Sequence, residues 1–508
     1  METLLVSTKK ISYQYFTSFF EGPVRIKLSQ SAKDNIKRSH NNLQSILKNK
    51  ESVYGVNTGF GNLSHIPISD KDQKKLQTNL VKSHASGIGE ALDAGTVRVV
   101  LFLKLLTYIH GYSGVRPVVA NKIIQFINKD ILPVIPKKGS VGASGDLAPL
   151  GHMALSLIGE GEVFYKNKKY LTKNILKKLG VKPIELGPKE GLSLINGTQV
   201  STALAIKACI TGESLLKTAD IAGALSVENS LSSRSVFKSE IHELKMHPGQ
   251  QVAARNVYKL LTSSGIVRSH QECGKVQDPY SFRCIPHIHG ACRDIFSGAA
   301  NIVNNEINSV SDNPLIIDKK TVSSSGHFHA EHISQAMDTL AISFSEIGAI
   351  SERRIHYFMK GIGEKIPPFV TNNPGVESGY MIAHVTSTAL ASENKILAHP
   401  ASVDSLPTSG GQEDLVSMAP GSVYKLERIY SNVASILAIE LIVAGAANFV
   451  ALKGISPGKG TKPVLEILNQ ICDFAKGDRP LSSEIENVSD LINSNELAQH
   501  VSKYLRLE

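Results

Sequence analysis

Seven stretches of the chain repeat apolar residues at intervals of three and four, the period of a helix with a buried face: residues 76–84, 97–109, 203–231, 288–310, 333–358, 380–397 and 424–452. Strand candidates are few. Residues 163–170, with Lys166-Asn167-Lys168-Lys169 near the middle, read as a small hairpin. Long helices with short connections predict a mainly α protein built around a bundle of antiparallel neighbours. The first part of the chain mixes helices with glycine-rich loops, which suggests a smaller N-terminal helical and loop domain over 1–195 and a long-helix bundle over 196–508. Residues 433–452 are apolar for the length of a membrane span, but Glu440 and Asn448 interrupt them, so a buried bundle helix is expected and no membrane partner.

Composition narrows the classes. With 508 residues, 42% hydrophobic and 20% charged, the chain can bury a large core. The net charge of +10 is spread along the sequence among interleaved acids, which argues against nucleic acid as a partner. Cys209, Cys273, Cys284, Cys292 and Cys472 form an odd set without a C-x-x-C pair, unlike a disulfide framework or a thiolate zinc site. The start, METLLVSTKK, has only a three-residue apolar run, so no secretory leader is expected and the reducing cytoplasm fits best.

Chemistry enters through the loops. Polar, glycine-rich and nearly uncharged segments interrupt the helices at 54–61, 139–145, 196–197 and 409–412. The second of these runs GSVGASGDLAPLGHMALSLIGEGE over 139–162, placing Gly139, Gly142 and Gly145 around Ala143 and Ser144 just before a helix. Asp146 can cap that helix, and Pro149 falls in its first turn. Taken alone, this is a tight turn before a helix.

Ala143-Ser144-Gly145 followed by Asp-Leu-Ala-Pro-Leu resembles the signature of the aromatic amino acid ammonia-lyases, and other landmarks of that family follow in order. Residues 54–61, YGVNTGFG, look like its mobile loop, with Tyr54 as general base candidate. Residues 277–284, QDPYSFRC, resemble a second signature in which Arg283 clamps the substrate carboxylate while Gln277 and Tyr280 line the site. Asn196 matches the family's site asparagine, Ser311-Asp312-Asn313-Pro314 an architectural loop, and residues 351–355 and 392–405 core or subunit-contact segments. The resemblance runs from about residue 50 to about residue 455.

It implies a homotetramer with sites built from several subunits. It also implies that Ala143, Ser144 and Gly145 cyclise and dehydrate to 4-methylidene-imidazol-5-one, with neither a metal nor pyridoxal phosphate. The ring would sit near the positive end of the helix starting at Asp146. Substrate would add to it through its amine or its side-chain ring, Tyr54 or Glu413 would take the β-proton, and Tyr280 and Asn196 would stabilise charge.

Two readable positions resemble the histidine-specific branch: His84 in Ser83-His84, and Glu413 in Gln412-Glu413-Asp414. An imidazole offers N–H donors that both can meet, whereas a phenyl ring would leave them unpaired. L-histidine as substrate and urocanate as product follow, with Phe328 against the substrate or the prosthetic ring. Leu415, Phe282 and Gly410-Gly411 depart from that branch. So does the loop Gly326-His327-Phe328-His329-Ala330-Glu331-His332, which with His287 and His289 also reads as a metal site. A tyrosine or phenylalanine lyase or aminomutase, a metal-dependent hydrolase, and a non-catalytic helical assembly stay open beside the main reading.

Overall fold

The computed structural model describes residues 3–48, 52–271 and 274–508; Cys273 lies outside them. All seven apolar stretches are helices: α1 (Gln73–His84), α2 (Ala94–Ile109), α5 (Gln199–Asn229), α6 (Ile285–Ile307), α7 (Glu331–Met359), α8 (Met381–Leu397) and α9 (Ala419–Ala451). Two shorter helices matter for the site, α3 (Leu147–Leu157) and α4 (Glu190–Ile195). The expected hairpin pairs Glu162–Tyr165 with Lys168–Leu171, antiparallel, Tyr165 opposite Lys168. Lys166 and Asn167 both take positive φ, the turn geometry that matches strand twist.

The chain forms two compact units. One comprises Met1–Lys207, Ala300–Met337 and Pro400–Val423; the other comprises Ala208–Ala299, Asp338–His399 and Tyr424–Glu508. This differs from a single cut between 195 and 196. The reason lies in the helices: α5, α6, α7 and α9 each begin in one unit and end in the other, so no one cut separates them.

In the first unit α2 is buried from Gly95 to Ile109, which is why its sequence is apolar all round rather than striped. Asp93 caps it by accepting from the Thr96 amide at 2.9 Å. Helices α1, α3 and α4 pack on one another. Gly151 allows α3 its approach: a Cβ there would stand 2.8 Å from the backbone carbon of His84.

In the second unit the apolar helix α9 carries Glu440, fully buried. Its carboxylate accepts from Arg354 Nε at 2.5 Å and Nη2 at 2.8 Å, and from the hydroxyls of Ser226 and Ser351 at 2.6 Å each. The helix is long and apolar enough to cross a membrane, yet 78% of its most apolar window is buried inside the protein, as expected of a core helix.

Candidate active site

The tripeptide occupies a bend held from both sides. The carbonyls of Val141 and Gly142 accept from the Met418 amide (2.8 Å) and the Ser417 hydroxyl (3.0 Å), while the Asp146 amide donates to the Gly197 carbonyl at 2.8 Å. Gly145 runs parallel to Gly197 with φ +73°, and a Cβ on it would stand 2.1 Å from the Gly197 oxygen. Only glycine fits there.

Asp146 does not cap its own helix. Its carboxylate accepts instead from the Ser201 amide and hydroxyl, both at 2.7 Å, and from Ser140 Oγ at 3.2 Å. One amide in the first turn of α5 is thereby satisfied, and α3 starts without a side-chain cap. Burial raises the Asp146 carboxyl above its ordinary range, and the serine donors oppose that shift. Pro149 sits in the first turn of α3, as expected.

The Ser144 hydroxyl donates to Glu413 Oε1 at 2.6 Å, and the other Glu413 oxygen accepts from Thr408. Both belong to a cavity of about 560 Å³ in the first unit, lined also by Tyr54, Phe60, Leu80, His84, Leu192, Ile195 and Asn196. Five of the site residues expected from sequence therefore converge: Tyr54, His84, Ser144, Asn196 and Glu413, with Ala143 and Gly145 buried on either side of Ser144.

His84, the last residue of α1, places Nδ1 2.8 Å from the Leu80 carbonyl. A carbonyl can only accept, so Nδ1 carries the proton and Nε2 of the neutral ring is an acceptor. Burial lowers the His84 pKa; the Leu80 bond and the Glu413 charge oppose this. Asn196 ends α4 buried, and its Oδ1 has no hydrogen-bond partner. Asn196 is also a wall residue of the cavity, so this buried, unpaired acceptor lies beside it. The Tyr54 oxygen accepts from the Gly61 amide at 3.0 Å, and the loop is stapled by Gln77 to the Gly55 carbonyl at 2.8 Å.

Gln277, Tyr280 and Arg283 belong to the second unit and are not among this cavity's lining residues. They form a preassembled set of their own, with Arg283 donating to Gln277 Oε1 at 2.9 Å and lying 4.6 Å from the Tyr280 ring centroid. Arg283 Nε is buried without a partner, and Tyr280 is 70% exposed. Phe282, a departure from the histidine branch, is core, edge-on to Tyr357 at 5.1 Å. Phe328 is half-buried and likewise does not line the cavity.

Leu415 is exposed, and its carbonyl lies 3.2 Å from His329 Nε2; His327 pairs with Ser325 at 2.7 Å. His289 pairs with Asp220 in the second unit. Among the described residues no group of three His, Cys, Asp or Glu is placed to hold a metal ion.

A family model described as aromatic amino acid lyase matches residues 11–470. The chain belongs to that family. Among aromatic amino acid lyases it is 44% identical over 497 residues to the histidine ammonia-lyase of Aliivibrio fischeri, covering 97% of each chain. The crystal structure of histidine ammonia-lyase from Trypanosoma cruzi superposes with a TM-score of 0.89 at 33% identity, over 99% of this chain and 96% of that one. A tyrosine aminomutase from Streptomyces globisporus gives 0.94 at 30% identity over the whole of both chains.

Sequence reasoning passed over Lys104, Ser417 and the Ser201 amide. Lys104 left a trace, a charge in the middle of the apolar run of α2. The other two left none, because small polar residues are common at helix starts.

Proposed function

We propose that this carbon–nitrogen lyase eliminates ammonia from L-histidine to give trans-urocanate. It does so as a cytoplasmic homotetramer carrying 4-methylidene-imidazol-5-one made from Ala143, Ser144 and Gly145. The carrying observation is the meeting, in one cavity, of the Ser144 hydroxyl, the Glu413 carboxylate, the His84 acceptor and the orphan Asn196 oxygen. The residues fit the group: the bend at Gly145 tolerates no Cβ, and Ser144 Oγ, the atom to be lost, is held by a carboxylate. The ring supplies an electrophilic carbon, an electron sink that ordinary side chains lack.

The chain's own groups do the rest. An imidazole N–H of the substrate meets His84 Nε2 or a Glu413 oxygen, and these acceptors would go unpaired against a phenyl ring. The substrate ammonium can donate to Asn196 Oδ1. In its phenolate form, hydrogen-bonded by the Gly61 amide, Tyr54 takes the β-proton at its phenolic oxygen and becomes the neutral phenol, and Glu413 is the second base within the same cavity. Arg283 takes the substrate carboxylate through two N–H groups, with Gln277 and Tyr280 fixing its orientation. In the tetramer these three residues and Phe328 complete the cavity from neighbouring protomers. The four described cysteines are free thiols, in keeping with a reducing compartment.

The test is purified protein incubated with histidine, tyrosine and phenylalanine, together with a peptide mass across residues 139–151. Urocanate absorbance with histidine alone and a peptide lighter by two waters are expected. Turnover of tyrosine to a β-amino acid, or an unmodified peptide in active protein, overturns the reading.

A further inference from the structure

Lys104 lies fully buried within α2, where a leucine or methionine would pack without the desolvation of an ammonium group. Its Nζ donates to the carbonyls of Asn196 at 2.6 Å and Ser193 at 3.1 Å. Both acceptors lie at the C-terminal end of α4, where carbonyls lack helical partners and the helix dipole is negative. A second buried lysine, Lys189, directs its ammonium elsewhere, to Asp312 at 3.1 Å and Ser193 Oγ at 2.6 Å. Burial pushes Lys104 down to about 7, with Asp312 and Asp146 opposing that shift and Lys189 adding to it.

The residue that Lys104 grips is joined directly to the one that bends the tripeptide. Asn196 turns its carbonyl to Lys104, and the next carbonyl, that of Gly197, receives the Asp146 amide. Gly197 has no room to drift: a Cβ on it would meet the Ser311 oxygen at 2.1 Å, and on its other side it runs beside Gly145. The Asn196–Gly197 peptide is thus pinned between Lys104 and the bend.

We infer that Lys104 is a positioning residue which, by holding the Asn196–Gly197 turn, sets both the bend that closes the Ala143–Gly145 ring and the aim of the Asn196 side chain. The inference rests on the reading of Ala143–Gly145 as a ring precursor. In that closure the Gly145 nitrogen bonds to the Ala143 carbonyl carbon. One water leaves with the Ala143 oxygen and the amide hydrogens of Ser144 and Gly145; the second leaves with the Ser144 hydroxyl and its α-hydrogen.

The test compares full-length wild type, K104M, K104Q and K189M by the mass of peptide 139–151, by far-UV circular dichroism, and by kcat and KM per processed site. A folded K104M is expected to show roughly tenfold slower loss of the two waters and a lower kcat per processed site, the scale of one lost hydrogen bond to a charged group. K104Q, which keeps a donor on a shorter arm, falls between, and K189M, which leaves Asp312 unpaired but removes no hydrogen bond to Asn196, loses less processing per folded chain than K104M. Wild-type processing and kcat in K104M overturn the inference, as does an equal loss in K189M or the failure of both Lys104 variants to fold, since each places Lys104 in general stability. An unprocessed wild-type peptide removes the underlying functional reading instead, and is seen before any variant is compared.

Discussion

Glu440→Ala should be among the most damaging single changes in the second unit, although it lies on an apolar helix. The buried carboxylate neutralises Arg354, itself fully buried, which among the described residues also donates a 3.4 Å hydrogen bond to the Ser281 carbonyl. Removing one partner of a buried pair costs about 3–5 kcal/mol, because the other charge is left without compensation. The hydroxyls of Ser226 and Ser351 lose their acceptor as well, at about 1 kcal/mol each, for a total of roughly 5–7 kcal/mol. Replacing both charges, as Arg354→Met with Glu440→Leu, restores an apolar contact and should come back to within about 2 kcal/mol of wild type. Urea unfolding followed by circular dichroism measures the difference. At a slope of about 3 kcal/mol per molar, the single variant should lose its second-unit structure roughly 2 M earlier. A single variant within about 0.3 M of wild type, or a double variant no better than the single, would refute the reasoning.

Gly145→Ala places a Cβ 2.1 Å from the Gly197 oxygen in a left-handed backbone conformation, so peptide 139–151 should keep both waters and turnover should fall about a thousandfold or more; normal mass loss contradicts the bend as described. The acid limb of the pH profile of kcat/KM should lie below the ordinary histidine value of about 6.5, because burial lowers the His84 pKa and protonation removes the Nε2 acceptor. In Glu413→Gln the charge that raises the His84 pKa is gone, so the limb should move still lower, and an upward move would show that His84 does not control it. Arg283→Lys should raise KM for histidine about tenfold to a hundredfold while peptide 139–151 stays processed, since the planar two-point grip is lost; an unchanged KM removes Arg283 as the carboxylate clamp.

The long helices were legible because their apolar period persists over several turns. The expected 203–231 is found as Gln199–Asn229, 333–358 as Glu331–Met359 and 424–452 as Ala419–Ala451. The helices Gln30–Lys48 and Ser482–Asn493 went unread; both are mostly polar, and the few apolar residues on their buried faces mark the helical period only weakly. At the site, residue types that chemistry requires could be named from motifs, and four of them meet around Ser144. What sequence could not supply was the pairing of polar groups across distant segments. Asp146 looked like a cap for the helix it precedes, yet it serves the start of α5 some 55 residues on. Nothing local separates those two outcomes.

The make-up of the first unit bears on the order of events during synthesis. The tripeptide appears early, at 143–145, and the turn that grips Asp146 follows at 196–197. The groups that hold its other side, Glu413, Ser417 and Met418, come from Pro400–Val423. A nascent chain must therefore emerge past residue 418 of 508 before the bend is gripped from both sides. A truncated product that stops short of that segment carries the encoded Ala-Ser-Gly without the frame that bends it. The frame of the bend is thus split along the chain order, its last holding groups lying some 270 residues after the tripeptide that they hold.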